Sequence, residues 1–183
     1  NSDGLHGGLL NAAGPLPLAK AASILFVFCL HNAWNCWTFL NICSDLDAAR
    51  ELFGKDDAEL GLLNTIGLLG ILCVMPFATF CKSPRTLLWL GAGMNIASPV
   101  LRFFGAKAHS YSVVILSFAV DGAAFGVLGI WPSILSATLF QEKRHALATA
   151  VALLSNWLGG ALAAIITPVL TGGSGAGLLA MLQ

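Results

Sequence analysis

The chain has 183 residues, of which 57% are hydrophobic and only 10% charged, with nine Lys plus Arg balanced by nine Asp plus Glu. A soluble domain carries about 25% charged residues, so this composition excludes an ordinary soluble globule, and the zero net charge without any basic block removes the footing for nucleic-acid binding. The five cysteines form no CxxC pair and no Cys/His cluster at metal-ligand spacing, so neither a metal nor a cofactor is expected.

In chain order, Asn1–Pro17 is rich in Gly, Ala and Leu and lacks a basic n-region, so residues 1–20 read as a flexible lead-in and not as a signal peptide. Five apolar stretches follow within a bundle expected over 21–183: Ala21–Cys43, Leu60–Cys81, Thr86–Gly105, Ser112–Phe140 and Ala146–Leu170. Each is near or above the roughly 20 residues needed to cross about 30 Å of hydrocarbon. Gly172 to Gly177 reads as a loop, and from about residue 176 the run Leu178-Leu179-Ala180-Met181-Leu182 looks like the first turns of a sixth span that stops short. The expectation is therefore a fragment or a truncated product. Because hydrocarbon offers no partner for backbone N–H and C=O groups, the spans must be helices; barrel strands would be about ten residues long and alternate. The predicted class is an all-α membrane protein, a helical bundle in contact with the lipid bilayer.

Loop charges orient the bundle weakly. With the N-terminus inside, the inner segments hold Lys20, Lys82, Arg85, Lys143 and Arg144, and the outer ones Arg50, Lys55, Arg102 and Lys107. Gly67, Gly70, Gly91, Gly93, Gly122, Gly126, Gly129 and the Gly159-Gly160 pair are expected to let helices approach closely. Pro76, Pro99, Pro132 and Pro168 lie in or near the ends of spans two to five, where each can kink its helix. Cys29, Cys36 and Cys43 recur every seven residues on one side of the first span and read as small apolar packing.

The first span holds the densest polar set. At about 100° per residue, His31, Asn35 and Thr38 share one face, Trp34 flanks it, and Asn32 and Asn41 lie further round. Such groups can tie helices together through hydrogen bonds worth about 0.6 kcal/mol each on average. Six polar or amphipathic groups in eleven residues exceed that need, so a water-filled cavity is the stronger reading, with Trp34 and Trp37 offering faces for an organic cation or a flat ring. Asp121 is the one carboxylate within a span. An ionisable group there costs at least about 2.5–3.5 kcal/mol on insertion scales, which favours a proton carrier or a counter-ion; the structural alternative is an interfacial position or pairing with Arg102. Asn156, flanked by apolar residues in the fifth span, is expected to face a neighbouring helix or the cavity.

The stretch Glu142-Lys143-Arg144-His145-Ala146-Leu147-Ala148-Thr149-Ala150, followed by Leu154-Ser155-Asn156-Trp157-Leu158-Gly159-Gly160-Ala161 and Thr167-Pro168, resembles the major facilitator superfamily. Within it the chain is similar to the group of feline leukaemia virus subgroup C receptor-related and disrupted in renal carcinoma 2 transporters. In that group an ER-A-T-A-T-A type loop leads into a helix with a small-residue pair and then a Pro. Trp34-Asn35-Cys36-Trp37 resembles the W-N-T-W stretch of the renal-carcinoma branch, and the likeness runs from about Ala21 to Gly173. Two positions depart from the pattern. The loop Phe80-Cys81-Lys82-Ser83-Pro84-Arg85 keeps basic residues and lacks the acid and glycine of the superfamily motif. Asn156-Trp157 stands where the receptor-related branch has Asn-Gln, so that branch's amine-handling glutamine is not carried over and the renal-carcinoma branch is the better resemblance.

The resemblance implies the N-terminal half of a twelve-helix transporter of a small organic solute, amine-, vitamin- or haem-like, with its site between two six-helix halves and lined by helices one and four. Transport then needs the other half or a second subunit. Substrate contacts are expected from His31, Trp34, Asn35, Trp37, Thr38, Asp121 and Asn156, in a plasma or lysosome-like membrane. A non-transporting scaffold or receptor derived from such a half is the alternative. An enzyme is not expected: the Gly172-Gly173-Ser174-Gly175 loop matches a serine-hydrolase pattern only formally, since no His follows it to serve as base.

Overall fold

The computed structural model describes residues 16–80 and 84–182. The lead-in expected over Asn1–Pro17 lies outside them up to residue 15, and so do Cys81, Lys82 and Ser83 of the second loop. The described residues form eight α-helices: α1 (Leu18–Leu40), α2 (Leu46–Phe53), α3 (Asp57–Phe80), α4 (Pro84–Lys107), α5 (Tyr111–Leu128), α6 (Trp131–Leu139), α7 (His145–Thr171) and α8 (Gly175–Met181). Among the described residues, five segments are long and apolar enough to cross a membrane, namely Leu18–Leu40, Asp57–Phe77, Thr86–Lys107, Tyr111–Leu139 and Glu142–Thr171. The chain is a multi-pass membrane helical bundle.

Of the four prolines expected to kink their spans, Pro132 marks the interrupted one. The fourth apolar run ends one helix at Leu128, turns at Gly129 and Ile130, and starts another at Trp131 with Pro132 in its first turn. Pro tolerates this position because the N–H it lacks would have no helical partner there. Pro76, Pro99 and Pro168 lie inside continuous helices. Between the first two spans the acidic segment is itself helical: Asp45 caps α2 by accepting from the Ala48 N–H at 3.1 Å, and Gly54 ends it in the left-handed region at φ 63°.

The main helix contacts pair α3 with α5, α4 with α5, and α1 with α7. Small residues make them possible. A Cβ on Gly122 would run into the backbone of Gly67 across the α3–α5 contact, and one on Gly159 into the backbone of Ala33 across α1–α7. Gly93 has open space and serves no such contact. Two apolar clusters close the bundle. One gathers Ile42, Leu60, Leu63, Val114, Phe118 and Leu178, the other Phe28, Leu87, Val127, Leu128 and Trp131. The polar residues from His31 on α1 to its C-cap Asn41 span a rise of about 15 Å, or half the hydrocarbon thickness, and lie between Phe28 and Ile42 of the two clusters.

Candidate functional site

The polar face of the first span does not converge on one cavity. It divides among three neighbours of α1, and its centre is a closed ionic network. Arg102 on α4 and Asp121 on α5 pair at 2.9 Å with side chains 1% and 0% exposed. The guanidinium also donates to Asn41 Oδ1 at 2.8 Å, to the Thr38 carbonyl, to Ser117 Oγ at 3.3 Å and, at the limit of 3.5 Å, to Ser98 Oγ. Its plane sits 4.2 Å from the centroid of the Phe118 ring. Asp121 accepts from Asn35 Nδ2 at 3.1 Å and Thr38 Oγ1 at 3.2 Å. Five acceptors for an Arg and three donors for a carboxylate are what two charges need to survive outside water.

Arg102 is therefore not an outer-segment charge, as the count of loop cations has it, but a buried part of the third span. For Asp121 the geometry observed is the pairing with Arg102, and its charge is met within the protein. The sequence carries a signal for Arg102: Asn95, Ser98 and Arg102 recur at spacings of three and four, a polar stripe on one helical face. Asn35 Nδ2 donates to Asn95 Oδ1 at 3.0 Å, and the Asn95 amide reaches the His31 ring at 3.2 Å and its carbonyl at 3.2 Å. The network thus runs from His31 through Asn95 and Asn35 to Asp121 and Arg102.

The remaining predicted residues lie on different walls. Trp34, 52% exposed, and Trp37 border a cavity of about 620 Å³ with Thr38, Asn41, Arg102 and Phe104. His31 borders an apolar groove of about 460 Å³ between α1, α4 and α6. Asn156 faces a third hollow, of about 310 Å³, where α1, α3, the α5–α6 junction and α7 meet; Asn32, Met75, Phe125, Gly129 and Trp157 share its walls.

In that third hollow the amides are ordered by the α1–α7 contact. Asn32 Nδ2 donates to the Ala152 carbonyl at 2.9 Å and to Ser155 Oγ at 3.4 Å. Asn156 Nδ2 donates to the Asn32 carbonyl and Oδ1 at 3.1 and 3.2 Å. Asn32 is thereby spent on helix pairing, whereas Asn156 Oδ1 accepts no hydrogen bond among the described residues and stays available to a ligand. The sequence offers Trp157 as an aromatic candidate beside Ser155 and Asn156 but does not single out Asn32 as a contact, since Asn32 stands further round the helix than the face of His31, Asn35 and Thr38. The Gly-Ser loop serves the fold, since Ser174 Oγ accepts from the Gly177 N–H at 3.1 Å and donates to the Thr171 carbonyl at 3.0 Å, capping α8.

No family model matches the chain. Among curated proteins it is similar to the choline/ethanolamine transporter FLVCR1 of Felis catus, with 24% identity over 156 residues. The match covers 83% of this chain and 28% of that relative. This distant homology agrees with the transporter group indicated by the Trp34–Trp37 and Arg144–Pro168 motifs, although the relative belongs to its receptor-related branch and not to the renal-carcinoma branch that the Trp157 position favours.

Proposed function

We propose that the chain supplies one solute-facing bundle of a membrane transporter for a small organic solute, working by alternating access against a second bundle. The observation that carries this reading is the hollow of about 310 Å³ walled by spans one, two, four and five, with the free Asn156 Oδ1 beside Trp157 and Phe125. A hydroxyl or ammonium hydrogen of the solute donates to Asn156 Oδ1. An alkylated ammonium lies against the indole and phenyl faces, a contact worth about 0.5–2 kcal/mol depending on desolvation. Choline and ethanolamine are the first solutes to try, since the relative is named for both.

Asp121 takes a different part from a solute counter-ion. Neutralised by Arg102, it ties α1, α4 and α5 into a unit that moves as one piece, while the break at Gly129 and Ile130 gives the fourth span a hinge beside the hollow. Trp34 and Trp37, on the other side of α1, line a wall apart from the solute. Ligand-dependent melting of the purified protein in detergent tests this division. Millimolar choline or ethanolamine stabilises the wild type and the Trp34→Ala variant and leaves Asn156→Ala unmoved. Equal stabilisation of Asn156→Ala refutes the proposed contact.

A further inference from the structure

A separate cavity opens where α1 begins and α6 ends on the same side of the bundle. It has a volume of about 320 Å³ and is lined by Leu16, Pro17, Leu18, Leu139, Gln141 and Arg144, among others. Its lining mixes apolar side chains with polar ones, and Arg144 is the one charged residue in it. Arg144 is half-buried and makes no ion pair among the described residues. The turn that carries it is held in place, because the His145 ring is 2.8 Å from the Phe140 carbonyl and Thr149 donates to Ser136 at 2.7 Å. Glu142 and Lys143 precede Arg144 in the same turn, and Lys20 follows Leu18 in the first turn of α1.

We infer that this cavity binds a phosphate-bearing anion at the membrane boundary, with the Arg144 guanidinium and the Gln141 amide on the phosphate oxygens and Leu16, Leu18 and Leu139 against the apolar part of the ligand. An unpaired guanidinium held at the edge of hydrocarbon is short of an anion, and its planar fork suits phosphate. The position, at the end of two spans, places the apolar wall level with lipid chains. Basic pockets between transmembrane helices recognise anionic headgroups in this way. The inference does not depend on the solute reading.

Native mass spectrometry of the detergent-purified protein tests it, with phosphatidylglycerol, phosphatidylcholine and soluble glycerol phosphate as probes. Phosphatidylglycerol adducts should exceed phosphatidylcholine adducts on the wild type and fall about fivefold in Arg144→Gln, the loss expected for one cation near a charged surface. Arg144→Lys should retain part of the preference, and Arg50→Gln, at the opposite end of the bundle, all of it. If millimolar glycerol phosphate displaces the lipid, the anion alone is recognised and the source is soluble; if it does not, the site reads the lipid, and either result supports a phosphate site. Equal retention of the two lipids by wild type, or an unchanged preference in Arg144→Gln, overturns it. Should Arg144→Gln fail to fold, loss of the preference in Gln141→Leu with Arg144→Lys decides the matter in its place.

Discussion

Arg102 reaches from the third span into the fourth to pair with Asp121 at 2.9 Å, and both side chains are buried. The pair joins α4 to α5, and through Asn35, Thr38 and Asn41 it joins both to α1. Three of the five spans therefore share one electrostatic centre between the two apolar clusters of the core.

Breaking one side of that pair is expected to be costly. Asp121→Leu leaves a buried guanidinium without its counter-charge and should destabilise the bundle by about 3–5 kcal/mol. The double variant Arg102→Met/Asp121→Leu should recover most of that loss, since a buried ion pair contributes little net stability over well-packed apolar groups. Thermal unfolding in detergent, followed by size-exclusion of the surviving fold, reads both effects. A double variant no better than the single one contradicts the pairing.

Several helix contacts depend on bare backbone at a glycine, Gly122 and Gly159 among them. Gly159→Val forces α7 away from Ala33 on α1 and should cost at least about 1–3 kcal/mol of packing. Gly93→Val, where a side chain meets open space, should leave the melting temperature within a degree or two of wild type. Parallel melting curves of the two variants decide between close packing and a general intolerance of substitution in the spans.

How far the sequence discloses this arrangement depends on the kind of constraint. The spans are legible because hydrocarbon fixes both their length and their helical backbone, and the polar face of α1 follows from angular arithmetic on His31, Asn35 and Thr38. Angle alone does not say which neighbour a face meets. Because α1 is packed by α4, α5 and α7 on different sides, Trp34, Asn35 and Asn156, which look like members of one site, go to three surroundings. Arg102 is hard to place from sequence because it lies near the end of α4, where a long side chain reads equally well as reaching water. The helix α2 is hidden in an acidic stretch whose cap, Asp45, looks like one more loop charge.

Cys43 lies in the short turn after α1, beside Asn64 at 3.3 Å. Burial pushes its thiol up to about 11, against smaller opposing effects of the Arg102 charge and the Asn64 hydrogen bond. A raised value means that the thiol stays protonated through neutral pH, with the thiolate gaining about tenfold per pH unit until the titration is complete. In a variant keeping Cys43 as its one cysteine, maleimide labelling should be negligible at pH 7.5 and rise steeply towards pH 10. Rapid labelling at neutral pH contradicts the buried placement.

Uptake by proteoliposomes carrying the protein tests the proposed transport most directly, with labelled choline and ethanolamine as solutes and Asn156→Ala and Trp34→Ala as variants. The account predicts saturable uptake by wild type, a loss of roughly tenfold in Asn156→Ala from one lost hydrogen bond to a charged or hydroxyl group, and little change in Trp34→Ala. Wild-type uptake of neither solute, or uptake unaffected in Asn156→Ala and abolished in Trp34→Ala, contradicts it.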